Sequence, residues 1–228
     1  MRSLIRLILA LAMAAFGVTT AAAADTATFY TVTYVEVVPP AAAQAAGAVR
    51  QYADATRKDA GAVRVESLQR IDRPSQFVVL AAWTEAKAFE AHQAAASTKA
   101  FQTTIQPLLA SPNDTRLHQA LSVDTSTAAR PTGAVYAVTH VDVIPPRKDD
   151  AVTALKQLAE DSRKDGGHVR FDVVQQTNRP NHFTVAELWK DRSSFDAHTM
   201  MPATKRFREQ LAPMSGSLYD ERLYQSLD

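Results

Sequence analysis

Four side chains in the second half of this sequence have the types and spacing to move a proton beside an aromatic molecule: His140, Glu187, Trp189 and His198. An unperturbed imidazole titrates near neutral pH, so His140 and His198 could each act as a general base. Phe183, Val185, Glu187 and Trp189 alternate along one predicted strand, so their side chains face one way. A carboxylate on that side could orient a base or bind a substrate hydroxyl, and the indole could stack on an aromatic ring. Each residue also has a plainer reading. Trp189 and its counterpart Trp83 could close a core at a strand end. His198 and His92 could hydrogen-bond the start of a helix, and Glu187 could pair with Arg170 or another arginine of the neighbouring strand. His140 lies midway along a different strand, at the position that Tyr34 fills earlier in the chain. If Val141 and Val143 face the helices, alternation turns His140 and Tyr34 to the opposite side of the sheet. Arg64 and Arg170 could hold an anionic group or pair across strands. His168 and His182 read as exposed, at a strand start and in a hairpin turn, and the two Arg-Lys-Asp runs read as a solvated helix end.

These candidates come in matched pairs because the chain is duplicated. Residues 28–121 return as 134–227 without a gap, with about 36 of roughly 94 paired positions identical. TVTYVEVVPP is matched by AVTHVDVIPP, RKDAGAVR by RKDGGHVR, and WTEAKAFEAH by WKDRSSFDAH. A unit of this length is a small domain, not a solenoid repeat. Each reads as strand, helix, strand, strand, helix, strand. β-branched alternating segments end in Pro-Pro, a helical face follows (Val49, Tyr52 and Ala53; Leu155, Leu158 and Ala159), and a hairpin turns at Arg73-Pro74 and Arg179-Pro180. The second helix should break near Ala96 and Pro202. Residues 122–133, SVDTSTAARPTG, read as a linker. This order is the ferredoxin-like βαββαβ arrangement, with helices on one face of the sheet. The bare face needs a partner, and the other copy supplies it. The expectation is an α+β fold with two sheets packed face to face in one chain, as a pseudo-symmetric barrel.

Residues 1–24 read as a secretory leader: Arg2 and Arg6, then an apolar run, then Ala22 and Ala24 placed for cleavage. An uncleaved anchor is the competing reading. Cleavage implies a periplasmic or secreted protein with no stable membrane insertion. The sequence has no cysteine, which excludes disulfides, thiolate metal sites and a lipid-modified N-terminal cysteine. With 25 Lys and Arg against 24 Asp and Glu, there is no basic excess of the kind a nucleic-acid binder carries. HExxH and glycine-rich dinucleotide motifs are absent as well.

FTVAELWKDRSSFDAHTMMPATKRF, residues 183–207, resembles the signature of the antibiotic biosynthesis monooxygenase (ABM) family: a strand ending in Glu-x-Trp, an acidic turn, Phe-x-Ala-His, then Lys-x-Phe. The matching positions are Glu187, Trp189, Phe195, Ala197, His198, Lys205 and Phe207. The first copy matches at Trp83, Phe89, Ala91, His92, Lys99 and Phe101, but has Ala81 in place of the glutamate. The resemblance implies a dimeric α+β barrel and, for some members, oxygenation of a small phenol or quinol by O2 without metal or flavin. Together with the strand-parity reading of His140, it leaves His140, His198 and Glu187 as catalytic candidates. Trp189, Tyr34, Trp83, Arg170 and Phe207 are the substrate-binding candidates, and no cofactor is expected. Many members carry a histidine in a Thr-Pro-His run, where this chain has Ala203 and Ser97. The heme-degrading branch of the superfamily needs an asparagine on the first strand and a late helical histidine, and neither is present. The first copy therefore reads as mainly structural, and the second as keeping a pocket. The alternative is a non-catalytic binder of a hydrophobic ligand, or a scaffold. Whether the tandem chain pairs into a further homodimer is left open.

Overall fold

The structure is a computed structural model that describes residues 27–228; the leader reading lies outside the described residues. The first repeat comprises β1 (Phe29–Glu36), α1 (Ala42–Thr56), β2 (Ala62–Arg70), β3 (Gln76–Trp83), α2 (Ala86–Ala94), α3 (Ala96–Ile105) and β4 (Asp114–Ser122). The second comprises β5 (Val135–Asp142), α4 (Lys148–Ser162), β6 (His168–Gln176), β7 (His182–Trp189), α5 (Arg192–Thr199), α6 (Pro202–Leu211) and β8 (Asp220–Ser226). The expected helix breaks fall where α2 gives way to α3 and α5 to α6. Pro202 takes the first helical position of α6, where its missing N–H costs nothing.

All eight strands join edge to edge in one closed antiparallel barrel, in the order β1-β3-β2-β8-β5-β7-β6-β4. Closure removes every free sheet edge. The two seams between repeats, β2 with β8 and β6 with β4, are equivalent. Ile71 N–H donates to Leu223 O and Thr177 N–H to Leu117 O, both at 2.9 Å. Because β1 and β5 run the same way on opposite sides of the barrel, the repeats are related by an approximate two-fold along its axis.

Strand alternation divides the side chains between two environments. One set faces the helices and builds a core in each repeat: Val35, Phe77 and Trp83 in the first, Val141, Phe183 and Trp189 in the second. The other set points into the barrel, including Val32, Leu68, Leu80, Tyr136, Val138 and Tyr224. With both faces covered, β3 has no exposed residue. The interior is less oily than the bare-face reading suggested. Arg64 pairs with Asp172 and Arg170 with Glu66, each at 2.5 Å, as reciprocal contacts across the two-fold.

Candidate functional site

In the second repeat, a line of polar side chains runs through the otherwise apolar layer between sheet and helices. Asp165, in the turn after α4, holds His198 Nδ1 at 2.8 Å. Gly167 makes this turn possible: its φ of 82° is in the left-handed region, and a Cβ there would fall 2.2 Å from Ser194 Oγ. Asp191 caps α5 by accepting the Ser194 N–H, which fixes the helix that carries His198. The His198 ring stacks on Trp189, with centroids 4.5 Å apart. The Trp189 indole N–H donates to Glu187 Oε2 at 2.7 Å, and that oxygen lies 3.7 Å from His198 Nε2. Phe207 packs in the same core.

Burial sets the charge states here. It pushes the Glu187 carboxyl up to about 8, with Glu221 adding to the rise while the Trp189 N–H and Arg208 oppose it. Burial also lowers His198 below the usual imidazole range, although Asp165 pulls the other way. Both groups are therefore largely neutral near pH 7, and their 3.7 Å approach is not an ion pair. With Nδ1–H directed at Asp165, the network leaves the Nε2 lone pair free for a proton. Arg208 Nε is buried nearby with no hydrogen-bond partner among the described residues, and Thr139 Oγ1 is buried beside the Tyr219 hydroxyl. Tyr219 reaches the same region from the segment before β8, its hydroxyl 3.4 Å from Glu221, and burial raises its pKa.

The first repeat keeps the dyad and changes what meets it. Asp59 holds His92 Nδ1 at 2.7 Å, and the Tyr52 hydroxyl meets Nε2 at 2.8 Å. Trp83 donates to Thr31 Oγ1 at 3.1 Å, because Ala81 supplies no carboxylate. In the second repeat Leu158 and Ala137 stand where Tyr52 and Thr31 do. Loss of the glutamate is thus matched by two local replacements, and a phenol of the chain itself occupies the base nitrogen.

The remaining candidates lie on the other sheet face. His140 points into the barrel, as strand parity required, with Nε2 3.2 Å from His182 Nδ1. Burial, with Arg116 and His182 adding to it, lowers His140 to about 4. Tyr34, its counterpart, lies under Arg116 at 4.9 Å and Arg222 at 5.8 Å. Arg170 is also interior and pairs with Glu66 and Asp172, so the anticipated ion pair with Glu187 does not form. One site cannot contain His140, Glu187 and His198 together, because the sheet separates them. His168 and His182 are not the exposed residues expected: His168 contacts Asp124 at 2.9 Å, and His182 contacts His140.

The family model described as antibiotic biosynthesis monooxygenase matches residues 28–104 and again residues 134–210. The chain belongs to this family. No curated protein matches it. Among solved structures, a protein from Fusobacterium nucleatum, provisionally described as a monooxygenase, superposes with a TM-score of 0.79 at 15% identity, covering 89% of this chain and 93% of its own. One from Lactobacillus acidophilus, described in the same way, gives 0.72 at 13% identity, covering 89% and 95%. An anthrone oxidase-like protein gives 0.70 at 15% identity, covering 89% and 92%. At these identities the likeness shows the fold.

Within this ABM chain, sequence reasoning overlooked Asp165 and Asp59, which had been read as part of a solvated helix end. Asp165 is only 11% exposed. The available signal was that the aspartate of the Arg-Lys-Asp run is identical in both repeats. Tyr52, counted as core, and Thr31 were legible only through the joint differences Tyr52/Leu158, Thr31/Ala137 and Ala81/Glu187. Thr139, Arg208, Tyr219 and Glu221 carried no signal, because strand pairing and the α6 face bring them to Glu187.

Proposed function

We propose that this ABM protein is an exported monooxygenase for a small phenol or quinol, working at the helix-side site of its second repeat. The observation that carries this reading is the Tyr52–His92–Asp59 chain: the same dyad in the first repeat already holds a phenol hydroxyl on its base nitrogen. In the second repeat no phenol meets that nitrogen, which has only the Thr204 hydroxyl at 3.5 Å, and the buried Arg208 Nε, without a hydrogen-bond partner among the described residues, adds a polar group for a ligand. His198 Nε2 takes the phenol proton, and Asp165 stabilises the imidazolium that forms. The electron-rich phenolate then reduces O2, its own electrons serving as reductant. One oxygen atom becomes a ring carbonyl, the phenolate C–O becomes the second carbonyl of a quinone, and the other oxygen leaves as water with the single hydrogen of the oxidised carbon and the phenol proton. Neutral Glu187 is the acid that delivers a proton to the departing oxygen. The leader supports export to the periplasm or beyond.

Oxygen uptake by purified, metal-free protein with a panel of naphthols and quinols tests the activity, and His198→Ala should abolish it. Unchanged turnover in that variant would remove the dyad from the mechanism. A mature N-terminus at Asp25 in an exported fraction would support export, and retention of residues 1–24 would refute cleavage.

A specific observation favours the second reading, a non-catalytic binder or scaffold. His198, Glu187 and Trp189 are at most 4% exposed, and the hollows described among residues 27–228 are lined by other residues. A saturable thermal shift with aromatics and no oxygen consumption would select it.

A further inference from the structure

We propose that the barrel has a second, separate binding site at one mouth, for a small aromatic carboxylate. A hollow of about 600 Å3 opens there, lined by Tyr30, Ala62, Val63, Arg64, Ala82 and Val123. Its size is that of small-molecule pockets; one wall is apolar, and the other is the polar stretch Asp124 to Thr127 of the linker. It lies on the barrel side of the sheet, away from His198.

The internal two-fold shows what belongs in it. In the second repeat the counterpart of Tyr30 is Tyr136, whose hydroxyl donates to Glu66 Oε1 at 2.9 Å. Arg170 grips the other oxygen of the same carboxylate at 2.5 Å. A tyrosine hydroxyl and an arginine thus hold one carboxylate between them. In the first repeat Tyr30 and Arg64 are the matching pair, and the matching acid is Asp172, one methylene shorter than Glu66. Asp172 reaches Arg64 at 2.5 Å through Oδ2 and accepts the Asp124 N–H on Oδ1 at 2.8 Å, so the Tyr30 hydroxyl donates instead to Ala27 O at 3.3 Å. Tyr30 therefore lacks the carboxylate that its twin has.

The space next to the Tyr30 hydroxyl is also specific to the first repeat. Ala62 and Ala82 occupy the positions where the second repeat has His168 and Leu188, and Leu188 is buried in the barrel cluster. The lining acid, Asp124, is turned to other partners: Oδ1 accepts the Ser126 N–H, and Oδ2 meets His168 at 2.9 Å. Arg64, paired with Asp172 on its inner side, is the cation facing the hollow, its side chain 33% exposed. A ligand carboxylate between the Tyr30 hydroxyl and Arg64, with its ring against Ala62, Val63, Ala82 and Val123, completes the geometry that the chain completes for itself across the two-fold.

Isothermal titration of the purified protein with 2-naphthoate tests this, with 2-naphthamide as the uncharged isostere. The expected result is saturable one-to-one binding of the acid, at least about tenfold tighter than the amide. Asp172→Glu should let the chain's own carboxylate reach Tyr30 and weaken binding at least about tenfold, in a fold that already accommodates Glu66 at the twin position. Ala82→Leu, which copies Leu188, should abolish binding, with circular dichroism confirming that each variant is folded. No saturable heat at millimolar naphthoate overturns the proposal, as does wild-type affinity in either variant. Because the titration consumes no oxygen, its outcome is independent of the oxygenase reading.

Discussion

Replacing Glu187 with glutamine should stabilise this protein, and by more as the pH rises. In the folded state burial holds the carboxyl at about 8, against an ordinary value of 4.5. Between those two values the folded chain keeps a proton that the unfolded chain has released, so stability falls as pH rises through the window. Each tenfold change in proton affinity corresponds to about 1.4 kcal/mol. The burden on the native state is therefore near zero at about pH 4.5, about 3 kcal/mol at about pH 7, and on the order of 5 kcal/mol above pH 8. Glutamine has the same shape, keeps an oxygen to accept the Trp189 indole N–H, and never ionises. The difference in unfolding free energy between Glu187→Gln and wild type should follow that rise. Urea denaturation from about pH 5 to about pH 8.5 measures it, with fluorescence of the buried Trp83 and Trp189 reporting on each repeat. Other titrating groups cancel in the difference. A gap that stays constant across the range would show that Glu187 does not keep its proton, and would remove it as the neutral acid of the site.

Turnover of a phenol should rise with pH through a step below 6.5, as His198 loses its proton, and fall near pH 8 as Glu187 ionises; a pH-independent rate would contradict both assignments. Leu158→Tyr should silence the second repeat by placing a phenol on His198 Nε2, as Tyr52 does on His92, with thermal stability retained; full activity in that variant would refute the equivalence of the two pockets. Arg170→Met leaves Glu66 and Asp172 short of a partner in the barrel, where the Arg170 side chain is 8% exposed. It should cost about 3–5 kcal/mol in denaturation, and a loss under about 1 kcal/mol would show the interior to be well solvated.

The family's Glu-x-Trp and Ala-His pairs were legible because Glu187 and Trp189 share a strand face and His198 follows at a short, regular distance. What that pattern could not show was the partner that makes His198 a base. Asp165 stands 33 residues away in sequence and meets the ring only when the Gly167 turn folds α5 against the end of α4. His140 illustrates the converse. Its direction into the barrel followed from parity, yet its distance from Glu187 and His198 depended on which face of the sheet each strand presents.

Duplication, period and turn chemistry are local properties, so the sequence by itself determined two βαββαβ units, their helix breaks and the need to cover a second sheet face. Their closure on each other as a barrel was expected too; the tertiary structure alone decided that the sheets hydrogen-bond at both edges, β2 with β8 and β6 with β4, and that the interior holds reciprocal ion pairs. It also decided that a tyrosine hydroxyl meets the base nitrogen in one copy of the dyad, while a buried leucine, Leu158, takes its place in the other. Those outcomes depend on side chains from distant segments competing for the same few cubic ångströms, and a linear pattern of residue types does not record that competition.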